Sequence, residues 1–205
     1  METIIRFIQD GGMFMYPIGI VLAIGLGIAV ERWLFLMSAK SANQKAFDLM
    51  LPYIKKGQFA QLIKIAEASK APVARIIGLG AQRIHGEVDR DEVSNAMEEG
   101  VMEALPRIEK RTQFLATLAN IATLLGLLGT IIGLIAAFTA VANADPSEKA
   151  SLLSASISVA MNTTAFGLIA AIPLLVLHSF LQGKTTELTD SLDMAGVKFL
   201  NNIQK

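Results

Sequence analysis

Thr112–Ala144 reads TQFLATLANIATLLGLLGTIIGLIAAFTAVANA and carries no charged residue. At about 1.5 Å per residue, a helix of this length exceeds the ~30 Å hydrocarbon core of a bilayer. Only a helix or a closed barrel satisfies backbone polar groups in lipid, and a single apolar run of this length reads as a helix. A second stretch, Ala150–Gly183, is equally free of Asp, Glu, Lys and Arg. A third apolar run, Gly11–Val30, continues past Glu31-Arg32 into Trp33–Met37. Its leading segment has one Arg6 offset by Glu2 and Asp10, and no small-residue cleavage site follows. These features favour a retained transmembrane helix over a secretory leader. Tyr16 and Trp33 suit the two interfaces of that first helix.

Composition agrees. The chain of 205 residues is 53% hydrophobic and 18% charged, against roughly 25% charged in average soluble domains. Its formal net charge is zero, which gives no case for nucleic-acid binding. Cysteine is absent and only His85 and His178 represent histidine, so disulfide frameworks and thiolate or histidine metal clusters are excluded.

Between the first two apolar runs, Lys40–Arg111 mixes charges with apolar residues at helical spacing (Phe47, Met50, Leu51, Ile54; Leu62, Ile63, Ala66). Gly57 and Lys70–Pro72 break the pattern. This predicts a water-facing helical domain whose charged last segment, Asp89–Lys110, leads straight into the second span, with Pro106 as a possible kink. Ile4, Ile5, Phe7 and Ile8 predict a short interfacial helix at the start. Leu181, Leu188, Leu192, Ala195, Phe199 and Ile203 form one stripe, so the third helix continues into water and packs there against partner helices. Lys and Arg concentrate in Lys40–Arg111 and after the third span. The positive-inside rule then places the N-terminus outside and the C-terminus in the cytoplasm.

The candidate functional residues lie in the second and third spans. Gly126, Thr130, Gly133 and Ala137 share one helical face, and Gly129 with Gly133 forms a GxxxG pair. Ser156, Ala160, Thr163 or Thr164, Gly167 and Ala171 form the analogous row on the third helix. Such faces permit close helix packing. Two of them with central threonines suggest helices that together line a narrow space. Each threonine has a plainer alternative, a bond back to its own helix's carbonyl three or four residues earlier. Asn120 is costly to bury in lipid and is expected to face a partner helix; Pro173 is expected to loosen the third helix. No acid stands in either span. Threonine exchanges no proton near neutral pH, so an ion pathway here needs an ionisable group from another protein. Glu31-Arg32 reads as a boundary anchor or local ion pair, and His178 as an interfacial structural residue or a proton-release group. A serine hydrolase built on Ser154, Ser156 or Ser158 with His178 fails, since they stand roughly 30 Å or more apart along one helix. A passive membrane scaffold is a third reading, but it leaves the hydroxyls on two helices unexplained.

GLLGTIIGLIAAF (Gly126–Phe138) and NTTAFGLIAAIP (Asn162–Pro173) resemble the channel segments of the MotA/TolQ/ExbB proton-channel family. Glu31–Leu36, Ala71–Arg75 and Gly11–Ile18 also resemble it. Three crossings match the ExbB/TolQ branch. The resemblance implies an all-α integral membrane protein without enzymatic turnover. Its parts would be an N-terminal segment at 1–12, transmembrane helices at 13–38, 112–142 and 151–181, a cytoplasmic domain at 39–111, a periplasmic loop at 143–150 and a C-terminal helix at 182–205. It further implies a pentamer in the bacterial inner membrane around an ExbD/TolR-like single-helix dimer, whose aspartate carries H+, with the motion passed to a TonB-like protein. By motif, Thr130 and Thr164 correspond to the pore threonines. Val159 stands where ExbB and TolQ usually have glutamate. Thr163 stands where the proton branch usually has alanine, and Thr163-Thr164 leaves Na+ as the alternative ion.

Overall fold

A computed structural model of the chain describes residues 11–84 and 89–203. Of the expected interfacial segment at 1–12 only Gly11 and Gly12 are therefore described, and His85 lies outside. Among the described residues every regular element is a helix: α1 Met15–Lys55, α2 Phe59–Ala68, α3 Pro72–Gln82, α4 Arg90–Glu109, α5 Thr112–Ala142 and α6 Lys149–Ile203. Three stretches are long and apolar enough to cross a membrane: α1, Arg90–Ala142 and α6. The chain is a multi-pass membrane protein with three long apolar helices.

The punctuation marks act through ordinary end chemistry. Gly57 takes φ +65°, the left-handed conformation that a side chain resists. Its N–H donates to Ile54 O (3.1 Å) and that of Gln58 to Tyr53 O (3.0 Å), closing α1 with a paired carbonyl cap. Pro72 opens α3, where its missing N–H costs nothing. The next free N–H, of Val73, donates to Asn43 Oδ1 at 3.0 Å. Asp89 caps α4 through the N–H groups of Asp91 (3.0 Å) and Glu92 (3.4 Å), and those two acids complement the positive end of the helix.

The expected straight run of α4 into the second span is corrected. Lys110 leaves the helical region and Arg111 adopts φ 69°, so α5 starts afresh at Thr112. Pro106 contributes: it has no N–H to return to Met102 O, which weakens the last turns of α4.

The chain forms two compact units, Met1–Val30 with Arg111–Phe180, and Glu31–Lys110 with Leu181–Lys205. The first holds the apolar parts of α1, α5 and α6. Ile18, Leu115 and Leu174 are fully buried in it, and Gly25 of α1 lies against the Leu174 side chain. The second unit buries Met50, Ile54, Leu62, Ile76, Ile77 and Val93 with Leu188, Leu192 and Phe199. The stripe expected to meet partner helices thus packs inside its own chain, for instance with Phe199 beside Gly80 of α3.

In this second unit Glu187 accepts from Lys184 (2.8 Å) and from Lys40. The two ammonium groups, Lys184 foremost, lower its carboxyl from 4.5 to about 2. Its ionised form therefore supports the fold above pH 4.5, and that support is lost as pH falls toward 2. Asp193 behaves oppositely: desolvation, then the charges of Asp190 and Glu98, raises it above its ordinary 3.8. Charging Asp193 costs stability once pH rises through the raised value. Asp193→Asn is expected to melt higher than the parent at pH 7, by less than about 1 kcal/mol for so exposed a group. The gap should close below pH 3.8, as thermal scans across pH will read.

Candidate ion pathway

Glycine inside a helix costs roughly 1 kcal/mol relative to alanine, so the glycines of α5 and α6 need a compensating contact. The contact is the other helix. A Cβ on Gly167 would stand 2.8 Å from Ala122 O and 3.0 Å from Gly126 Cα. A Cβ on Gly126 would stand 3.2 Å from Gly167 Cα, and one on Gly133 would stand 2.9 Å from the Ala160 Cβ. Gly129 faces the Thr163 side chain. As the α5 number rises from 126 to 133, the α6 partner falls from 167 to 160, so the helices run antiparallel with backbones nearly touching. The two small-residue faces meet each other. Gly126, Gly129, Gly133, Ala160 and Gly167 all serve that seam, leaving no space between α5 and α6 along it.

The hydroxyls divide into three kinds. Thr123 and Thr139 bond their own helix, to Ala119 O (3.1 Å) and Ile135 O (2.8 Å). Thr130 also bonds back, to Leu127 O at 2.6 Å, and stays half-buried beside the seam. Thr164 instead donates across the seam to Gly126 O at 3.1 Å. Thr163 is fully buried and divides its proton between Val159 O (3.0 Å) and Gly11 O (2.6 Å). That last bond fixes the Gly11-Gly12 turn, where Gly12 has φ +75°, to the apolar first half of α6. Residue reading missed this contact, because 152 positions separate its partners. The one signal available was the paired glycine ahead of α1.

The chemical consequence follows from hydroxyl bookkeeping. A threonine oxygen that donates its proton to a carbonyl still has lone pairs to accept a bond or ligate a cation. Thr130 and Thr164 therefore present acceptors with their protons already engaged. They can receive a bond from a protonated carboxylic acid, but cannot themselves titrate. Thr163 is too enclosed to join Thr164 as a second exposed hydroxyl.

Asn120 is exposed on α5 and Pro173 is exposed on α6. Thr112 Oγ1 and His178 Nε2 are both buried without a hydrogen-bond partner among the described residues. Outside the seam, the same helices expose Leu124, Ile131, Ile135, Phe138, Met161 and Val176, an apolar surface for lipid or other chains.

Residues 68–194, more than half of the chain, match the MotA/TolQ/ExbB proton channel family. An ExbB homolog of biopolymer transport type from Methanothermobacter thermautotrophicus is 28% identical over 94% of this chain and 67% of the relative. The biopolymer transport protein exbB1 of Vibrio cholerae serotype O1 is 29% identical over 84% of this chain and 76% of its own length.

Proposed function

The chain belongs to the MotA/TolQ/ExbB proton channel family, an ExbB-like channel and transport lineage rather than an enzyme family, and on that premise we propose that it is the multi-pass subunit of an ion-driven motor in the bacterial inner membrane. Several copies, most simply five, surround the single transmembrane helices of an ExbD/TolR-like dimer. The N-terminus is periplasmic and the C-terminus cytoplasmic, with spans at 13–38, 112–142 and 151–181. An aspartate of the dimer takes up H+, passes the threonines and releases it inward, and the resulting motion energises a TonB-like transport process across the envelope.

One observation carries the reading: neither α5 nor the apolar part of α6 contains an acid, yet Thr130 and Thr164 hold half-buried oxygens with their protons already committed. A protonated carboxyl from outside the chain is the donor those oxygens lack. Enclosure of Thr163 favours H+ over Na+, because replacing a sodium hydration shell calls for several convergent oxygens. Each charge that crosses contributes about 2.3 kcal/mol per 100 mV, so a strenuous mechanical step needs several.

The test is co-expression with an ExbD-like partner and ion flux in reconstituted vesicles. Thr164→Ala or Thr130→Ala should lower flux about tenfold, the equivalent of one lost hydrogen bond of ~1.4 kcal/mol, while the complex still assembles. Thr164→Ser should restore it. Unchanged flux in both alanine variants would remove the threonines from the mechanism. Replacing sodium by choline at fixed pH should leave flux intact; loss of flux would make Na+ the passenger.

A further inference from the structure

The second unit contains a cavity of about 420 Å³, lined by residues that close the first apolar run and others that precede the second. It is lined by Phe35 and Ser38, at the end of the first apolar run, by Arg107 and Ile108, just ahead of α5, and by the turn between α2 and α3. Its floor is apolar, with Phe35 and Ala39 prominent. Its charged lining consists of Lys70, Arg75 and Arg107 against the single acid Glu103. Glu103 is engaged, accepting from Arg75 Nε at 2.9 Å. Lys70 and Arg107 have no carboxylate partner among the described residues, so the cavity carries two uncompensated positive charges over a greasy base.

We propose that this cavity is a binding site for the phosphodiester headgroup of an anionic glycerophospholipid. A headgroup phosphate is a compact anion that meets an ammonium as a point charge and a guanidinium as a fork. The glycerol and first acyl carbons below it match the apolar floor. Basic pockets beside membrane-spanning helices recognise anionic lipids by this combination, and the volume lies in the usual range for small-ligand sites. A free phosphate would satisfy the cations but leave Phe35 and Ala39 uncovered. The cavity is formed by surface side chains and does not depend on how ions cross the membrane unit.

Trp33, the chain's only tryptophan, stands across the helix from Phe35, so the reporter is the Trp33→Phe/Leu34→Trp protein, in which the exposed position 34 lies one turn before the cavity-lining Ser38. This reporter protein in phosphatidylcholine nanodiscs is titrated with spin-labelled phosphatidylglycerol, quenching of its single tryptophan is followed, and it serves as the parent for the variants below. Half-quenching should come at a low mole fraction in the parent. Lys70→Gln and Arg107→Gln should each raise that fraction about 5-fold, the effect of one basic residue near an anionic surface. Lys70→Arg should leave it unchanged, and Lys55→Gln with Lys64→Gln, elsewhere in the unit, should do the same. Quenching equal in the parent and in the Lys70→Gln/Arg107→Gln double variant would overturn the assignment. So would an equal loss in the Lys55/Lys64 control, which would mean bulk surface attraction, or displacement of the lipid by millimolar inorganic phosphate. Ion flux is not read, so failure of this site and failure of the channel mechanism remain distinct.

Discussion

Gly167→Val should leave no properly packed membrane unit. A Cβ at this position would overlap Ala122 O at 2.8 Å and Gly126 Cα at 3.0 Å, and both are backbone atoms that no rotamer change can move. Relief requires α5 and α6 to separate. Separation would also break the Thr164 Oγ1–Gly126 O bond and lift Thr163 away from Gly129. In lipid the loss is mainly of van der Waals contact and hydrogen bonding, since the tails are as apolar as the exposed side chains. Even Gly167→Ala is expected to cost about 3 kcal/mol, the upper range for overpacking, and valine more. Fluorescence-detected size exclusion with a thermal challenge should show the alanine variant unfolding earlier and the valine variant aggregated. Gly183→Ala is the matched control: a Cβ there meets nothing within 4 Å, and alanine should stabilise the helix by up to about 1 kcal/mol. If Gly167→Val assembled with parental stability, the close seam would be refuted.

Arg32→Ala is expected to have a comparable effect on the second unit. Arg32 is 3% exposed, its guanidinium stacks 4.6 Å from the Phe35 ring centre, and it donates to Ile108 O. Ile108 belongs to the last turn of α4, where carbonyls lack helical donors. The side chain therefore closes the end of α4 while filling space along α1. A hydrogen bond from a charged group is worth about 1.5–3 kcal/mol, and truncation adds the lost packing of the stem. A loss of about 3 kcal/mol or more should appear as lowered melting and faster proteolysis of α2, α3 and α4. Arg32→Met separates the two contributions, because it keeps most of the stem and removes only the donor. Arg32→Met with the stability of the alanine variant would assign the effect to the hydrogen bond. Parental stability in both would show that α4 does not rely on Arg32.

This arginine shows where residue reading stopped. Glu31-Arg32 reads as a boundary anchor or a local ion pair; in the fold the Arg32 guanidinium donates to a carbonyl 76 positions away. No periodicity announces such a partner, because the backbone carbonyl exists at every residue. The break before α5 was equally hidden. Lys110 and Arg111 have ordinary helix preferences, and only the left-handed Arg111 reveals the new start. By contrast, Gly57, Pro72 and Asp89 act through their own backbone freedom or side-chain reach, and those ends were legible residue by residue.

The chain's chemistry alone determined that three uncharged runs become membrane helices, that the charged stretches between and after them also form helices, and that neither α5 nor the apolar part of α6 contains an acid. These follow from the cost of placing charge and open backbone in lipid, which depends on local composition. Only the tertiary structure decided which hydroxyl serves which purpose. Thr130, Thr163 and Thr164 are chemically identical alcohols, and a helix offers each the same carbonyl one turn back. Their different partners, Leu127, Gly11 and Gly126, are set by which neighbouring backbone the glycine seam lets approach within bonding distance.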